Sequence, residues 1–161
     1  MSRFDDEIRI TPSVLDRLID YEPELSQEAP ASRVKNLRQL KQGVKRDLEW
    51  LLNTRRTALE VPPDLKEVNN SLAVYGLPDF AALNVKSPSD QALIRRELET
   101  VLHLFEPRLE HIQISIEPLH ENERALHFRI DAQLKIEPVS EPITFDTVLR
   151  LDNGRYLVKE E

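Results

Sequence analysis

Residues 46–55 read Arg46-Asp47-Leu48-Glu49-Trp50-Leu51-Leu52-Asn53-Thr54-Arg55, and they carry apolar side chains on two sides of one helix. At about 100° per residue, six aliphatic residues of the longer segment fall within an arc of roughly 120°, which is typical of a helix that packs on a core. Trp50 falls nearly opposite that stripe. Either a second layer of the same protein covers Trp50, or another protein contacts it, since Trp is enriched at interface hot spots. The aliphatic stripe is Leu37, Leu40, Val44, Leu48, Leu51 and Leu52, and the outer face beside Trp50 is Gly43, Arg46, Asn53, Thr54 and Thr57.

The composition is that of one folded domain. A chain of 161 residues is long enough to bury a sizeable core without disulfides or metals. Because the chain has no cysteine, disulfides and thiolate metal sites are excluded, which suits a reducing compartment. The N-terminus lacks a basic stretch followed by an apolar run, and no segment approaches about 18 consecutive apolar residues. We therefore expect a soluble, cytoplasmic protein.

The charge is distributed unevenly along the chain. The formal net charge of −7 argues against binding to phosphate backbones. From Arg33 to Arg56, however, eight basic residues stand against only Asp47 and Glu49. This segment indicates either a solvated helix face or a surface for an acidic partner or RNA.

The N-terminal part predicts a short helix followed by a connector. Thr11 is expected to cap an amphipathic helix whose first residue is Pro12, and the acidic, proline-containing residues 21–31 follow it. Such a connector would allow the first helix to dock away from the rest. The long helix is expected from a cap at Ser32 to about Thr57, and residues 1–31 and 32–161 are thus interpreted as an N-terminal helix with connector and a single α+β domain.

The remaining segments predict a second long helix and a sheet. The irregular segment 59–86 contains turn chemistry at Asn69-Asn70-Ser71 and at Tyr75-Gly76-Leu77-Pro78-Asp79-Phe80. Ser87 and Pro88 are expected to start a helix that ends at Glu106-Pro107, with Asp90 reaching back to free amides. Apolar residues then alternate over 112–116, 126–136 and 143–151, with hairpin loops at 120–123 and 152–154. These patterns predict an α+β fold in which N-terminal helices pack on one face of a small, mostly antiparallel C-terminal sheet.

Catalytic and metal-binding patterns are weak in this sequence. The four histidines show neither the His-x-x-x-His nor the His-Glu-x-x-His pattern, and there is no glycine-rich phosphate loop, so we expect no metal, no cofactor and no catalytic residue. Pairs of carboxylates at glycosidase spacing stay open, because acidic residues are abundant, but nothing singles one pair out. The histidines are His103, His111, His120 and His127.

The triplet Glu106-Pro107-Arg108 is more informative. A carboxylate at a helix C-terminus faces the negative end of the helix dipole and is unfavourable unless a positive group pairs with it. Arg108 is the candidate, and Pro107 fixes the exit angle of the chain. The triplet is interpreted either as an ordinary helix stop or as a rigid corner that presents a guanidinium.

Four phrases in fixed order carry a resemblance to a known family. Residues 12–18, 46–55, 75–80 and 106–108 together resemble TssE, the baseplate subunit of type VI secretion systems related to the wedge protein of contractile-tail phages, a family that carries an old lysozyme label. The resemblance implies a structural protein that catalyses no reaction. It implies that residues 32–161 are a baseplate-wedge-like domain, bound to TssF and TssG, that initiates a contractile sheath of TssB and TssC at the inner face of the cytoplasmic membrane.

The resemblance also implies which residues bind partners. The triplet Glu106-Pro107-Arg108 would contact the helical bundle of the wedge, supported by residues of the quoted helix, and Arg108→Ala would weaken assembly and leave the fold intact. The strands between Ile143 and Lys159 would pair with the first sheath ring by strand addition, unless the hairpin is satisfied within the domain. The helix residues are Arg46, Glu49, Trp50, Asn53, Thr54 and Arg55, and the sheath-facing residues are Phe145, Thr147, Leu149, Leu151, Tyr156 and Val158.

Two other function classes stay open at this stage. A peptidoglycan-cleaving enzyme would lose activity when a catalytic Glu or Asp is replaced, although a cytosolic protein without an export signal does not reach that substrate. An RNA-binding module would lose affinity steeply with salt and would depend on Arg38, Lys45 and Arg46.

Overall fold

The computed structural model describes residues 13–19, 33–57, 61–80, 82–117, 125–136, 139–150 and 154–160. Several sequence predictions lie outside these residues and are not tested by the structure. They are the caps at Thr11 and Ser32, the connector 21–31, the loops at 120–123 and 152–153, and the side chain of Leu151.

Helices precede strands along the chain. The helices are α1 (Val14–Leu18), α2 (Arg33–Asn53), α3 (Lys66–Asn69) and α4 (Pro88–Phe105), and a 3₁₀ turn spans Leu72–Val74. The strands are β1 (Leu109–Ile116), β2 (Ala125–Leu134), β3 (Glu141–Arg150) and β4 (Tyr156–Glu160). They form one antiparallel sheet in the order β1-β2-β3-β4. The predicted α+β fold is confirmed.

The core lies between one face of the sheet and the two long helices. Alternate residues of the strands are buried, as the period of two requires for a sheet with one covered face. The aliphatic stripe of α2 is buried from Leu40 to Leu52, which confirms the helical periodicity. The central side chains include Phe128 and Phe145 of the sheet, Leu48 of α2, and Leu98 and Leu102 of α4.

Helix α2 ends at Asn53 and not at about Thr57 as the sequence predicted. The Asn53 side-chain amide donates to the Glu49 carbonyl at 2.7 Å, and the Thr54 hydroxyl donates to the Trp50 carbonyl at 2.7 Å. Beyond this point the backbone pairs with a loop, since the Leu77 amide donates to the Thr54 carbonyl at 2.8 Å and the Leu77 carbonyl accepts from the Arg56 amide at 2.7 Å. Side-chain and loop partners thus replace the next helical turn.

Within the described residues helix α1 is capped by Ser13 and begins at Val14, and the predicted cap Thr11 and first residue Pro12 lie outside these residues. The Ser13 hydroxyl accepts from the Asp16 amide at 3.1 Å, and the Asp16 carboxylate accepts from the Ser13 amide at 3.1 Å. This reciprocal pair is a capping box, which satisfies two helix-end amides at once. The acidic residue three positions after the cap decided the start of this helix.

Helix α4 begins at the predicted residues, but the predicted side-chain cap does not form. Ser87 is the N-cap and Pro88 the first residue, but the Ser87 hydroxyl hydrogen-bonds that of Ser89 at 2.8 Å and no helix amide. The Asp90 carboxylate accepts from the Asn84 amide at 2.8 Å, so it anchors the preceding loop. The helix ends at Glu106 as predicted. Within the described residues, no helix combines the length and the apolarity needed to cross a bilayer.

Candidate functional site

Two residues of the triplet 106–108, Glu106 and Arg108, form an ion pair at the end of α4. Glu106 is the C-cap of the helix and is only 3% exposed. Arg108 Nε donates to Glu106 Oε1 and Arg108 Nη2 donates to Oε2, both at 2.6 Å. This is the bidentate geometry that suits a planar guanidinium and a carboxylate. The expectation that a cation offsets the unfavourable position of Glu106 at the helix end is confirmed.

Asp47 of α2 links this corner to the long helix. Its Oδ2 accepts from Arg108 Nη2 at 2.7 Å, and its Oδ1 accepts from Arg46 Nε at 2.9 Å and Arg46 Nη2 at 2.8 Å. One carboxylate therefore bridges two arginines. Burial lowers the pKa of Arg108, but its bonds to Glu106 and Asp47 outweigh this effect and raise that pKa above its usual value, so the guanidinium stays charged.

Helix α1 docks on the same cluster. Arg46 Nη2 donates to Asp16 Oδ1 at 2.9 Å. Gly43 is buried under α1, and a Cβ at Gly43 would lie 3.1 Å from Asp16 Oδ1. The prediction that Gly43 and Arg46 lie on an open outer face is therefore wrong, because α1 covers them. Val14 and Leu18 point outward and are 75% and 76% exposed.

Trp50 stands at the margin of this cluster. Its side chain is 55% exposed, so no second layer of the described chain covers it. The Arg46 guanidinium carbon lies 5.4 Å from the centre of the indole ring, within the range of a cation–π contact. The sequence prediction of an outward Trp50 is confirmed, and the alternative of an internal covering layer is not met within the described residues.

Glu49 and Asn53 contact the edge of the sheet. Asn53 accepts from the Tyr156 amide and donates to the Tyr156 carbonyl, both at 3.0 Å, and Glu49 Oε1 accepts from the Val158 amide at 3.2 Å. These side chains occupy the side of β4 that faces away from β3. Within the chain, these two side chains thus cover a sheet edge. Thr54 in turn caps the end of α2. Among the residues of this segment that were predicted to bind partners, Trp50 and Arg55 are exposed and neither cover the sheet edge nor cap the helix.

The strand residues predicted to face the sheath are buried, and this prediction is corrected for their side chains. Each belongs to the core face of β3 or β4, with an exposure of 6% or less. A partner therefore reaches the main chain of these residues but not their side chains, unless the helices move, whereas the alternate residues of both strands face the other side of the sheet. The residues are Phe145, Thr147, Leu149, Tyr156 and Val158.

Asp16, Asp47 and Tyr75 complete the site, although the sequence did not single them out. Tyr75 packs edge-on against Phe105 with ring centres 5.0 Å apart. Burial raises the pKa of the Tyr75 hydroxyl, and the charges of Asp47 and Glu106 raise it further. A usable signal was present in Asp47, which is one of only two acidic residues between Arg33 and Arg56.

Some basic residues between Arg33 and Arg56 lie near acidic residues of the same chain. Besides the bonds of Arg46, Lys41 Nζ lies 3.9 Å from Glu160 and Arg56 Nη2 lies 3.7 Å from Glu97. Among the described residues, no cluster of three metal-ligating side chains is present.

One nitrogen of the Arg108 guanidinium lies outside the ion pair. Within the described residues Arg108 Nη1 donates no hydrogen bond, and it is not among the buried polar atoms without a partner. The guanidinium is thus held on one side by two carboxylates and presents its other side outward. Arg and Trp are among the residue types enriched at interface hot spots.

Comparison with known proteins identifies the class as a structural component of phage-tail-like baseplates. The family described as baseplate wedge protein gp25 matches residues 38–139, more than half of the chain, and the chain belongs to this family. The resemblance to TssE, the gp25-like protein of type VI secretion systems, is thereby confirmed.

Other comparisons add little. No curated protein matches the chain. One solved structure, titled "Rd1NTF2_05 with long sheet", is 24% identical over 39% of this chain and 54% of its own length, with a TM-score of 0.24. The match therefore spans about half of that protein, and its low TM-score carries no argument about fold or function.

Proposed function

We propose that this protein is the TssE-type subunit of a type VI secretion baseplate, joining the wedge through TssF and TssG and initiating the sheath of TssB and TssC. Family membership over residues 38–139 supports a baseplate role. The proposal includes a cytoplasmic location, with assembly at the inner face of the cytoplasmic membrane through the other baseplate proteins, and no enzymatic reaction.

The observation that carries the wedge contact is the geometry of Arg108. Two carboxylates hold its guanidinium at distances of 2.6 to 2.7 Å, so the side chain loses little further conformational entropy when a partner binds. Pro107 is exposed and fixes the backbone at the corner. Trp50 adds a half-exposed aromatic surface that belongs to the same cluster through Arg46.

The sheath contact is proposed through main-chain groups of the β3–β4 hairpin. Glu49 and Asn53 already bind the Tyr156 and Val158 groups on the outer edge of β4. Strand addition there requires these two side chains to swing away, and it exchanges side-chain partners for main-chain partners of similar strength. The main-chain groups of Tyr156 and Val158 are therefore already hydrogen-bonded within the chain. They become available to a partner only when an added strand displaces the side chains of Glu49 and Asn53.

Co-expression with TssF and TssG tests the wedge contact. The variants are Trp50→Ala and Arg108→Lys, and the latter retains a cation for Glu106 while it removes the planar fork. Leu72→Ala is the matched control, because Leu72 is 80% exposed on the separate 3₁₀ turn.

We expect the wild type and the Leu72 variant to co-purify with both partners at the same stoichiometry, measured by native mass spectrometry. The Trp50 and Arg108 variants should lose at least tenfold in affinity, or about 1.4 kcal/mol, while they melt within a few degrees of the wild type. Wild-type association of both variants would contradict the proposed wedge surface, and failure of the wild type to associate would contradict the proposed partners.

A further inference from the structure

We propose that a second binding site, for a short acidic peptide segment that carries a large apolar side chain, lies in the cleft between the C-terminal end of α2 and the β3–β4 hairpin. This inference is independent of the wedge contact. It concerns the residues 53–55 and 77–85, which the corner at Arg108 does not use.

The cleft has a volume of about 540 Å³, within the usual range of ligand sites. Its apolar lining comes from four parts of the chain, so it is a feature of the folded domain and not of one loop. Leu52 belongs to α2, Leu77, Phe80 and Val85 belong to the loop before α4, Ile94 belongs to α4, and Leu149 belongs to β3.

The local backbone holds this cleft in shape. Gly76 has φ +100°, a conformation that L side chains rarely adopt, and its missing Cβ would lie 2.4 Å from the Thr54 carbonyl oxygen. This close approach allows Leu77 to pair with Thr54 and Arg56 of the chain leaving α2. The wall that begins at Leu77 is thus fixed to the end of α2 by main-chain hydrogen bonds.

The rim of the cleft carries two arginines, Arg55 and Arg150, and one aspartate, Asp79, although the protein as a whole has a net charge of −7. Arg55 lines it with a side chain that is 70% exposed, and its contact with Asp79 is long, at 3.9 Å. Arg150 also lines the cleft, is exposed, and makes no ion pair with another described residue. Two guanidiniums above an apolar floor suit carboxylates that flank an apolar side chain.

A protein segment is the occupant that this chemistry favours. Phe80 and Val85, half-buried apolar residues of the lining, offer contact to one large side chain, and side-chain carboxylates spaced along an extended peptide reach two separate arginines. A nucleic acid is less suitable, because Asp79 lies on the rim and Glu49 lines the adjoining surface with Arg55. The proposed partner motif is therefore acidic and apolar, and not polyanionic.

Selection from a display library of random 12-residue peptides tests the site with the full chain as bait. We expect enriched peptides to share Asp or Glu next to an aromatic or large aliphatic residue. Synthetic copies should bind with micromolar Kd in fluorescence polarisation and shift the amide resonances of Leu77, Phe80 and Val85. Enrichment of basic peptides, or of no class, would overturn the proposal.

Two charge-reversal variants distinguish binding at this cleft from general electrostatic attraction between acidic peptides and the protein surface. Arg150→Glu should weaken the selected peptides at least tenfold, whereas Arg95→Glu, an exposed arginine of α4 that does not line the cleft, should leave their Kd unchanged. Equal loss in both variants would overturn the proposal. Arg108→Lys should retain full peptide affinity, so failure of the wedge contact and failure of this site are distinguishable.

Discussion

Glu106 shows how strongly one buried carboxylate constrains its neighbours. At 3% exposure it depends on the guanidinium of Arg108, which it binds through both oxygens. The triplet in the sequence was sufficient to pair these two residues, because a negative helix end demands a cation nearby. The degree of burial and the third partner, Asp47, depend on the packing of α2 against α4 and follow from no local pattern.

Replacing Arg108 by Ala should therefore destabilise the protein, contrary to the expectation from the sequence. The variant leaves Glu106 buried without its cation, and we expect a loss of about 3 kcal/mol in the free energy of unfolding. Urea denaturation measures it. The double variant Glu106→Gln/Arg108→Ala should lose less than the single variant, and an equal or greater loss would show that the pair does not act as a unit.

Replacing Thr147 should raise the free energy of unfolding, whereas replacing Arg108 should lower it. Its hydroxyl is buried in the sheet core and has no hydrogen-bond partner among the residues that the structure describes. We expect Thr147→Val, which keeps the shape, to stabilise the protein by about 1 kcal/mol in urea denaturation. In the matched control Thr144→Val, a hydroxyl that donates to Asp131 at 2.8 Å is lost, so that variant should be destabilised by a similar amount. Destabilisation of the Thr147 variant would mean that its hydroxyl has a partner.

At the scale of elements, α1 is a helix that docks by its polar side. Asp16 meets Gly43 and Arg46, while Val14 and Leu18 point away from the protein. The apolar periodicity predicted the helix itself, but it did not indicate that the polar side of the helix would dock on α2. The contact depends on a missing side chain at position 43, which sequence periodicity does not reveal.

The docking of α1 should depend on pH through Asp16. Partial burial raises the pKa of Asp16, but hydrogen bonds from Ser13 and Arg46 outweigh it and hold the pKa below the ordinary 3.8. The carboxylate thus contributes stability above that pH, and the contribution is lost as the pH falls through the lowered pKa. We expect Asp16→Asn to be less stable at pH 7 by about 1 kcal/mol, a difference that vanishes toward pH 2.

Urea denaturation across that pH range checks the Asp16 prediction. The exposed Asp64 provides the control, because Asp64→Asn should show no such convergence. A difference between Asp16→Asn and the wild type that is the same at pH 7 and pH 2 would contradict an ionic role.

The loop before α4 depends on one glycine. Gly76→Ala forces a side chain into left-handed backbone and against the Thr54 carbonyl, and we expect a loss of about 3 kcal/mol in thermal or urea denaturation. Gly154→Ala is the milder comparison, since its Cβ would lie 3.3 Å from the movable Arg55 Nη2, and it should cost about 1 kcal/mol. Equal costs would show that the contact with Thr54 yields easily.

At the scale of the whole molecule, α2 and the sheet are joined by contacts between residues that lie far apart in the sequence. The alternation of apolar residues predicted the strands, and the sequence neighbours pair in the order β1-β2-β3-β4. The contact that the sequence did not predict is the one between Asn53 and Tyr156, which lie 103 residues apart. Such pairs are set by the assembled fold, and no local propensity of either segment indicates them.

Hydrogen exchange tests this closure. Asn53→Ala removes the acceptor of the Tyr156 amide, and we expect that amide to exchange about fivefold faster, as the loss of one hydrogen bond of roughly 1 kcal/mol predicts. Amides of the central residues Ile130 and Phe145 should keep their protection. Faster exchange throughout the sheet would instead mean that Asn53 supports the whole fold.

The order of the strands also sets the order in which the domain is completed during synthesis. Hairpin neighbours need only short loops to meet, so the four strands pair without waiting for distant segments. The contact between α2 and β4 forms only after the last strand is synthesised, since Glu49 and Val158 lie 109 residues apart. On the ribosome, α2 emerges long before its partner strand does, and for that interval its aliphatic stripe is exposed to chaperones and proteases.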